Sequence, residues 1–140
     1  MLRALPIALL LLLTCKQGDP IAAAVDDVAK AAEDRDAGAV VEKLAANYSD
    51  ANGGRREAED ALRRYFFGYR SIDVDIRELK TYQNGPTAQA RFVVAFTGVP
   101  KTIGGLDQIL PSSATYRFNV WLIKEGGGWK ITNAEWQPES

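Results

Sequence analysis

Glu135, Tyr48 and Tyr116 are the residues whose types could together do chemistry. A carboxylate whose pKa is raised in an apolar pocket acts as a general base, and a phenol can hold a developing oxyanion, the pairing that an isomerase or hydrolase requires. The competing assignment puts Glu135 at a wet rim near the C-terminus and makes Tyr48 a cover over the core. Asp73 and Asp75 are a second carboxylate pair, two apart on a strand and so on one face. The same alternation sets them opposite Ile72, Val74 and Ile76, which places them in solvent. Asp36 is assigned as a helix cap worth about 1 kcal/mol of stability.

The composition removes most other chemistry. The 140 residues contain no histidine and one cysteine, so triads, imidazole bases, His-ligated zinc, Cys-rich metal sites and intrachain disulfides are excluded. No motif indicates a metal or any other cofactor. With 17 basic and 18 acidic residues, the net charge is −1, without the basic excess of a nucleic-acid-binding surface. A chain of this length that is 46% hydrophobic and 25% charged suits one globular domain.

Helical and strand periodicities divide the chain. Asp19 caps a helix with Pro20 at its first position, and Ile21, Ala24, Val25, Val28 and Ala32 form one apolar stripe to about Arg35. Asp36 opens a second helix through Val40, Val41, Leu44 and Ala45, predicted to stop near Asn47 to Ser49 before an Asp50 to Gly54 loop. A third spans about Arg55 to Tyr65. From Ser71 the period becomes two, and four strands are predicted: Ile72 to Arg77, Ala88 to Phe96, Thr115 to Lys124 and Trp129 to Trp136. A loop from Gly98 to Ser113 and a Gly126-Gly127-Gly128 hairpin join them.

Residues 1–14 carry one positive charge and then an apolar run from Ala4 to Leu13, the layout of an export signal. Ten apolar residues span only about half of a hydrocarbon core of roughly 30 Å. Leu12-Leu13-Thr14-Cys15 resembles the lipobox of bacterial lipoproteins, with Thr14 where that pattern usually has Gly, Ala or Ser. The resemblance implies lipidation of Cys15, a short tether over 15–19, a domain over 20–140 and a membrane anchor. Lys16, where an inner-membrane retention signal would have Asp, implies an outer-membrane location in the cell envelope, facing the periplasm of a Gram-negative cell.

Three helices and then four strands predict an α+β domain with helices packed on one face of an antiparallel sheet. Arg35-Asp36-Ala37, Tyr48-Ser49-Asp50 and the closing Gly128-Trp129-Lys130-Ile131 resemble the nuclear transport factor 2-like superfamily, including its SnoaL-like and ketosteroid-isomerase-like members. The resemblance implies a curved sheet wrapped into a cone with a pocket. It assigns Trp129 and Ile131 inward, sending Asn133 and Glu135 toward the same interior, with Tyr48 beside them.

Trp121 and Trp136 each lie opposite their strand's main apolar face, so both are predicted on the outer face of the sheet as a partner surface. Three functions remain open at this point. One is a non-catalytic module of the cell envelope binding a small apolar ligand or an envelope protein. Another is a small SnoaL-like or isomerase-like enzyme using a pocket carboxylate. The third is a structural homodimer.

Overall fold

Asp19 caps the first helix by accepting hydrogen bonds from the backbone N–H of Ile21 and Ala22, at 2.8 and 3.4 Å. The computed structural model describes residues 18–101 and 110–139. The predicted signal, Cys15 and the middle of the 98–113 segment lie outside the described residues. Helix α1 (Pro20–Glu33) buries Ile21, Ala24, Val25, Ala29 and Ala31. It ends two residues before the expected Arg35, which takes a left-handed φ of 55°. There Asp36 N donates to Ala31 O and Arg35 N to Ala32 O, at 2.9 and 3.0 Å, the paired bonds that close a helix C-terminus. The Arg35 guanidinium then donates to Tyr69 O at 3.0 Å, tying this corner to the sheet.

Helix α2 (Ala37–Glu42) is capped by the Asp36 carboxylate, which accepts from Ala39 N at 3.0 Å. It stops well short of the predicted Asn47 to Ser49, because Leu44–Asp50 forms strand β1 instead. Leu44 and Ala45 continue the helical spacing of Val40 and Val41, so the apolar pattern does not mark the change. What decides it is a distant strand edge. Ile131 N donates to Lys43 O at 2.8 Å, and β1 pairs in parallel with the last strand through Leu44↔Ile131 and Ser49↔Asn133. The short β2 (Gly53–Gly54) pairs antiparallel with β1.

Helix α3 (Arg55–Phe67) begins where Glu57 reaches back to accept from Gly54 N at 2.7 Å, satisfying one orphan donor of its first turn. The remaining strands are β3 (Tyr69–Asn84), β4 (Thr87–Pro100), β5 (Ser113–Glu125) and β6 (Gly128–Pro138). The sheet order is β2-β1-β6-β5-β4-β3. The expected count of about four strands is therefore corrected to six among the described residues. The two extra strands are the segment predicted as the end of the second helix and its following loop.

Two irregularities shape the sheet. In β3, Arg77 pairs with Val93 but Lys80 pairs with Arg91, so Glu78 and Leu79 together face Phe92. Glu78 has φ 55°, and such a bulge increases local twist and bends the strand. In β6, Ile131 pairs with Leu122 while Asn133 pairs with Trp121, leaving Thr132 as the extra residue. The helices pack on one face of the sheet through two buried clusters. One joins Ile21, Val25 and Val41 to Tyr48, Leu122, Trp129 and Ile131; the other joins Ala31, Val40 and Phe66 to Tyr69, Ile72 and Phe96.

Candidate functional site

The Thr132 bulge decides which side chains of β6 face the helices. Trp129 and Ile131 point inward, both buried. An unbroken alternation would send Asn133 and Glu135 the same way. The extra residue reverses the sense, so Ala134 and Trp136 turn inward, and Asn133 and Glu135 lie exposed on the opposite face. This corrects two expectations together. Trp136 is not part of an outer Trp patch with Trp121, and Glu135 is not in the interior.

The inward-facing residues enclose an apolar cavity of about 360 Å³ between helices and sheet. Its roof comes from Val25, Val28, Ala29 and Ala32 of α1, Val40 of α2, and Leu62, Tyr65 and Phe66 of α3. Its floor is the apolar face of β3 to β6, including Phe92, Phe96, Tyr116, Phe118, Ile131 and Trp136. Phe92 stacks on Phe118 at 5.4 Å and Phe118 on Trp136 at 5.8 Å, making an aromatic floor across three strands. Among the described side chains lining this cavity, the only polar atoms are the hydroxyls of Tyr65 and Tyr116 and the indole nitrogen of Trp136. Trp136 is 41% exposed, more than any other described residue lining the cavity.

Tyr65 and Tyr69 converge at the end of the cavity nearest Pro111. Tyr69 is fully buried and donates its hydroxyl to Pro111 O at 2.7 Å. Its oxygen lies 3.5 Å from that of Tyr65. Burial, and then the neighbouring Tyr69 hydroxyl, push the Tyr65 phenol above its usual range. It is a neutral donor at ordinary pH, facing an apolar space.

Tyr48 occupies a separate annexe of about 200 Å³ with Asp50, Asn52 and Glu57. Val28, Val40, Leu62, Ile131 and Trp136 line both the annexe and the main cavity. Tyr48 donates to Asp50 Oδ2 at 2.6 Å, and Asn52 N donates to Asp50 Oδ1 at 2.7 Å. Burial, with the Asp50 hydrogen bond and charge, raises the Tyr48 pKa.

The structure therefore separates the proposed catalytic partners. Tyr48 and Tyr116 lie on the helix side, in different chambers, while Glu135 lies on the far side of the sheet beside Arg91 and Arg117. Of the predicted pocket set, Ile131 lines the cavity, Tyr48 the annexe, and Trp129 packs in the core. Asn133 instead donates to Ser49 Oγ at 3.0 Å on the β1 side. Asp73 and Asp75 are exposed. The residues that sequence reasoning passed over as site residues are Asp50, placed in a loop, and Phe92 and Phe118. The last two stand on the apolar face of strands already predicted, a signal that could have found them. Among the described residues, no group of three or more acidic, His or Cys side chains comes together as a metal site. No helix among them is long and apolar enough to cross a membrane.

No protein-family model and no curated protein matches the sequence. Solved structures match it in shape. A candidate scytalone dehydratase from Novosphingobium aromaticivorans superposes with a TM-score of 0.75 at 12% identity, over 86% of this chain and 83% of that one. A nuclear transport factor 2-like superfamily protein from Salmonella enterica serovar Typhimurium gives 0.71 at 15% identity, over 86% and 89%. Bd1075 of Bdellovibrio bacteriovorus gives 0.72 at 14% identity over 86% of this chain, which spans only 40% of that longer protein. Three helices packed on a curved, six-stranded mixed sheet in this order are the nuclear transport factor 2-like fold.

Proposed function

We propose that this chain is a non-catalytic binding module for a small, uncharged, apolar ligand, held at the cell envelope by lipid on Cys15. The observation that carries the ligand reading is the cavity of about 360 Å³ with its aromatic floor and, among the described residues, no carboxylate, amine or guanidinium in its lining. An ionised ligand would lose its hydration there without a counter-charge, a cost of several kcal/mol. An uncharged ring system gains by burying its surface, and Tyr65 or Tyr116 can donate to one acceptor at its edge.

Titration with the uncharged fluorophore N-phenyl-1-naphthylamine tests this. Saturable binding at one site is expected, weakened by about tenfold or more in Ala32→Phe, which fills the cavity from α1. Absence of saturable binding, or equal binding by the folded Ala32→Phe variant, rejects the cavity as the site. The anchor has its own test: Cys15→Ser is expected to release the protein from membrane fractions, and retention there rejects acylation at that residue.

A second reading, a small enzyme, draws on the dehydratase names of two structural neighbours and on Asp50 beside Tyr48. Both Asp50 oxygens already accept hydrogen bonds, from Tyr48 and Asn52. That arrangement makes Asp50 a support for Tyr48 more than a free base, and the binding reading is favoured.

A further inference from the structure

On the face of the sheet away from the helices, the strand registers align four side chains in one row. Tyr82 of β3 pairs with Gln89 of β4, Gln89 with Trp121 of β5, and Trp121 with Asn133 of β6. At about 4.8 Å between neighbouring strands, the two aromatic side chains stand roughly 10 Å apart with an amide between them and another beyond. The row forms the floor of a groove of about 470 Å³, and none of the described residues lining that groove is charged. The contrast along the strands is abrupt. The next outward row is Lys80, Arg91, Asn119 and Glu135, three of them charged. The uncharged row is therefore a local feature of the face.

We infer that this groove binds a short, uncharged oligosaccharide. A pyranose ring has an apolar C–H face and a rim of hydroxyls, each both donor and acceptor. Aromatic side chains offer a flat apolar platform to the first, and amides offer donor and acceptor together to the second. The tyrosine is available for this role, since Tyr82 is 53% exposed, and Trp121 is half-buried with its side chain on the groove. The amides are also oriented in advance. Gln89 Nε2 donates to Asn119 Oδ1 at 2.7 Å, and Asn133 Nδ2 donates to Ser49 Oγ at 3.0 Å. These bonds hold each amide by its nitrogen, and its carbonyl oxygen is the atom that would accept from a ligand hydroxyl. The absence of charge suits a neutral polyol, because an acidic or basic ligand would find no counter-charge in the groove. The spacing of the two aromatic residues fits more than one sugar ring.

The test is calorimetric titration of the protein with N,N′,N″-triacetylchitotriose and with cellotriose, both uncharged. Saturable binding of either is expected, with affinity falling about tenfold or more in Trp121→Ala and severalfold in Gln89→Ala and Tyr82→Ala. Tyr82 is exposed enough that its variant keeps the fold and reports on the site alone. Ala32→Phe, which fills the chamber on the other face, is expected to leave sugar binding unchanged, so the two sites fail or succeed separately. No heat of binding for either sugar at about 10 mM would overturn the proposal, as would binding that Tyr82→Ala and Gln89→Ala leave intact. Sedimentation of the free protein supplies a further check. A dimer that Trp121→Ala dissociates would give the row to a second copy of the chain, and would also overturn it.

Discussion

Trp136 stacks on Phe118 with ring centroids 5.8 Å apart and planes 25° from parallel, which is only accessible because β6 holds one residue more than its partner needs. Thr132 is that residue, and the faces of Ala134, Glu135 and Trp136 follow from it. Deleting Thr132 leaves Asn133 opposite Trp121 and keeps Trp136 inward, so the deletion variant is expected to fold with some bend lost. Inserting one alanine between Asn133 and Ala134 does the opposite. It drives Glu135 into the apolar chamber and Trp136 out, and an unpaired buried carboxylate costs several kcal/mol, a large part of a domain's usual 5–15 kcal/mol. Circular dichroism and tryptophan emission of the two variants check this. A well-folded insertion variant with unchanged emission would refute the role of the bulge.

The same residue explains what the sequence leaves hidden. Strand alternation is legible from Ile72 to Ile76 and from Ala88 to Phe96 because each inward side chain is apolar and most of the residues between them are polar. Nothing in Ile131-Thr132-Asn133-Ala134 announces an extra residue, since a bulge is a property of two strands and their register. β1 is hidden for a related reason. Leu44 and Ala45 fit a helix locally, and only pairing with Ile131 and Asn133 far along the chain turns them into strand. The caps at Asp19 and Asp36 are legible because a cap is local. The cavity is not, because its walls come from seven elements that no local pattern relates.

Gly98 is the point at which β4 passes the ring of Tyr69. A methyl group built there would stand 2.7 Å from Tyr69 Cδ1 and 2.8 Å from Phe96 Cζ, and both rings are packed edge to face at 5.2 Å with little room to retreat. Gly98→Ala is therefore expected to cost about 1–3 kcal/mol, the usual range for overpacking a filled core. Urea denaturation measures it. Phe96→Leu, which withdraws one of the two rings, is expected to recover part of the loss when combined with Gly98→Ala, and strict additivity of the two costs would show that the rings are not the obstacle.

Asp19 joins helix start to sheet. One carboxylate oxygen accepts from Ile21 N and Ala22 N, and the other accepts from the Thr81 hydroxyl on β3. Burial raises its pKa, and these three donors together lower it by more. Asp19→Ala is expected to lose about 1 kcal/mol for the cap, with Asp19→Asn losing less. The sign of the pH effect follows from the lowered value in the folded state. The advantage over Asp19→Asn is present above the unfolded carboxylate pKa of about 4 and declines as pH falls through the folded one. Denaturation midpoints that differ by the same amount at pH 7 and pH 2.5 would contradict it.

Tyr48 carries the opposite sign. Burial raises its phenol pKa, and the hydrogen bond and charge of Asp50 raise it further, so the folded protein keeps a proton that the unfolded chain releases at about pH 10. The stability this supplies is complete below about pH 10 and is lost as pH rises from there, because the unfolded state then binds fewer protons. Removing the hydroxyl in Tyr48→Phe leaves Asp50 Oδ2 without its donor and is expected to cost about 1–3 kcal/mol at pH 7. The same variant is expected to flatten the decline between pH 9 and pH 11. Asp50→Asn should flatten it partially, since the negative charge that opposes ionisation of Tyr48 is gone while its burial remains. Urea melts of the three proteins across that range distinguish the contributions, and an alkaline slope unchanged by Tyr48→Phe would assign the decline to Tyr65, the other phenol whose pKa burial raises.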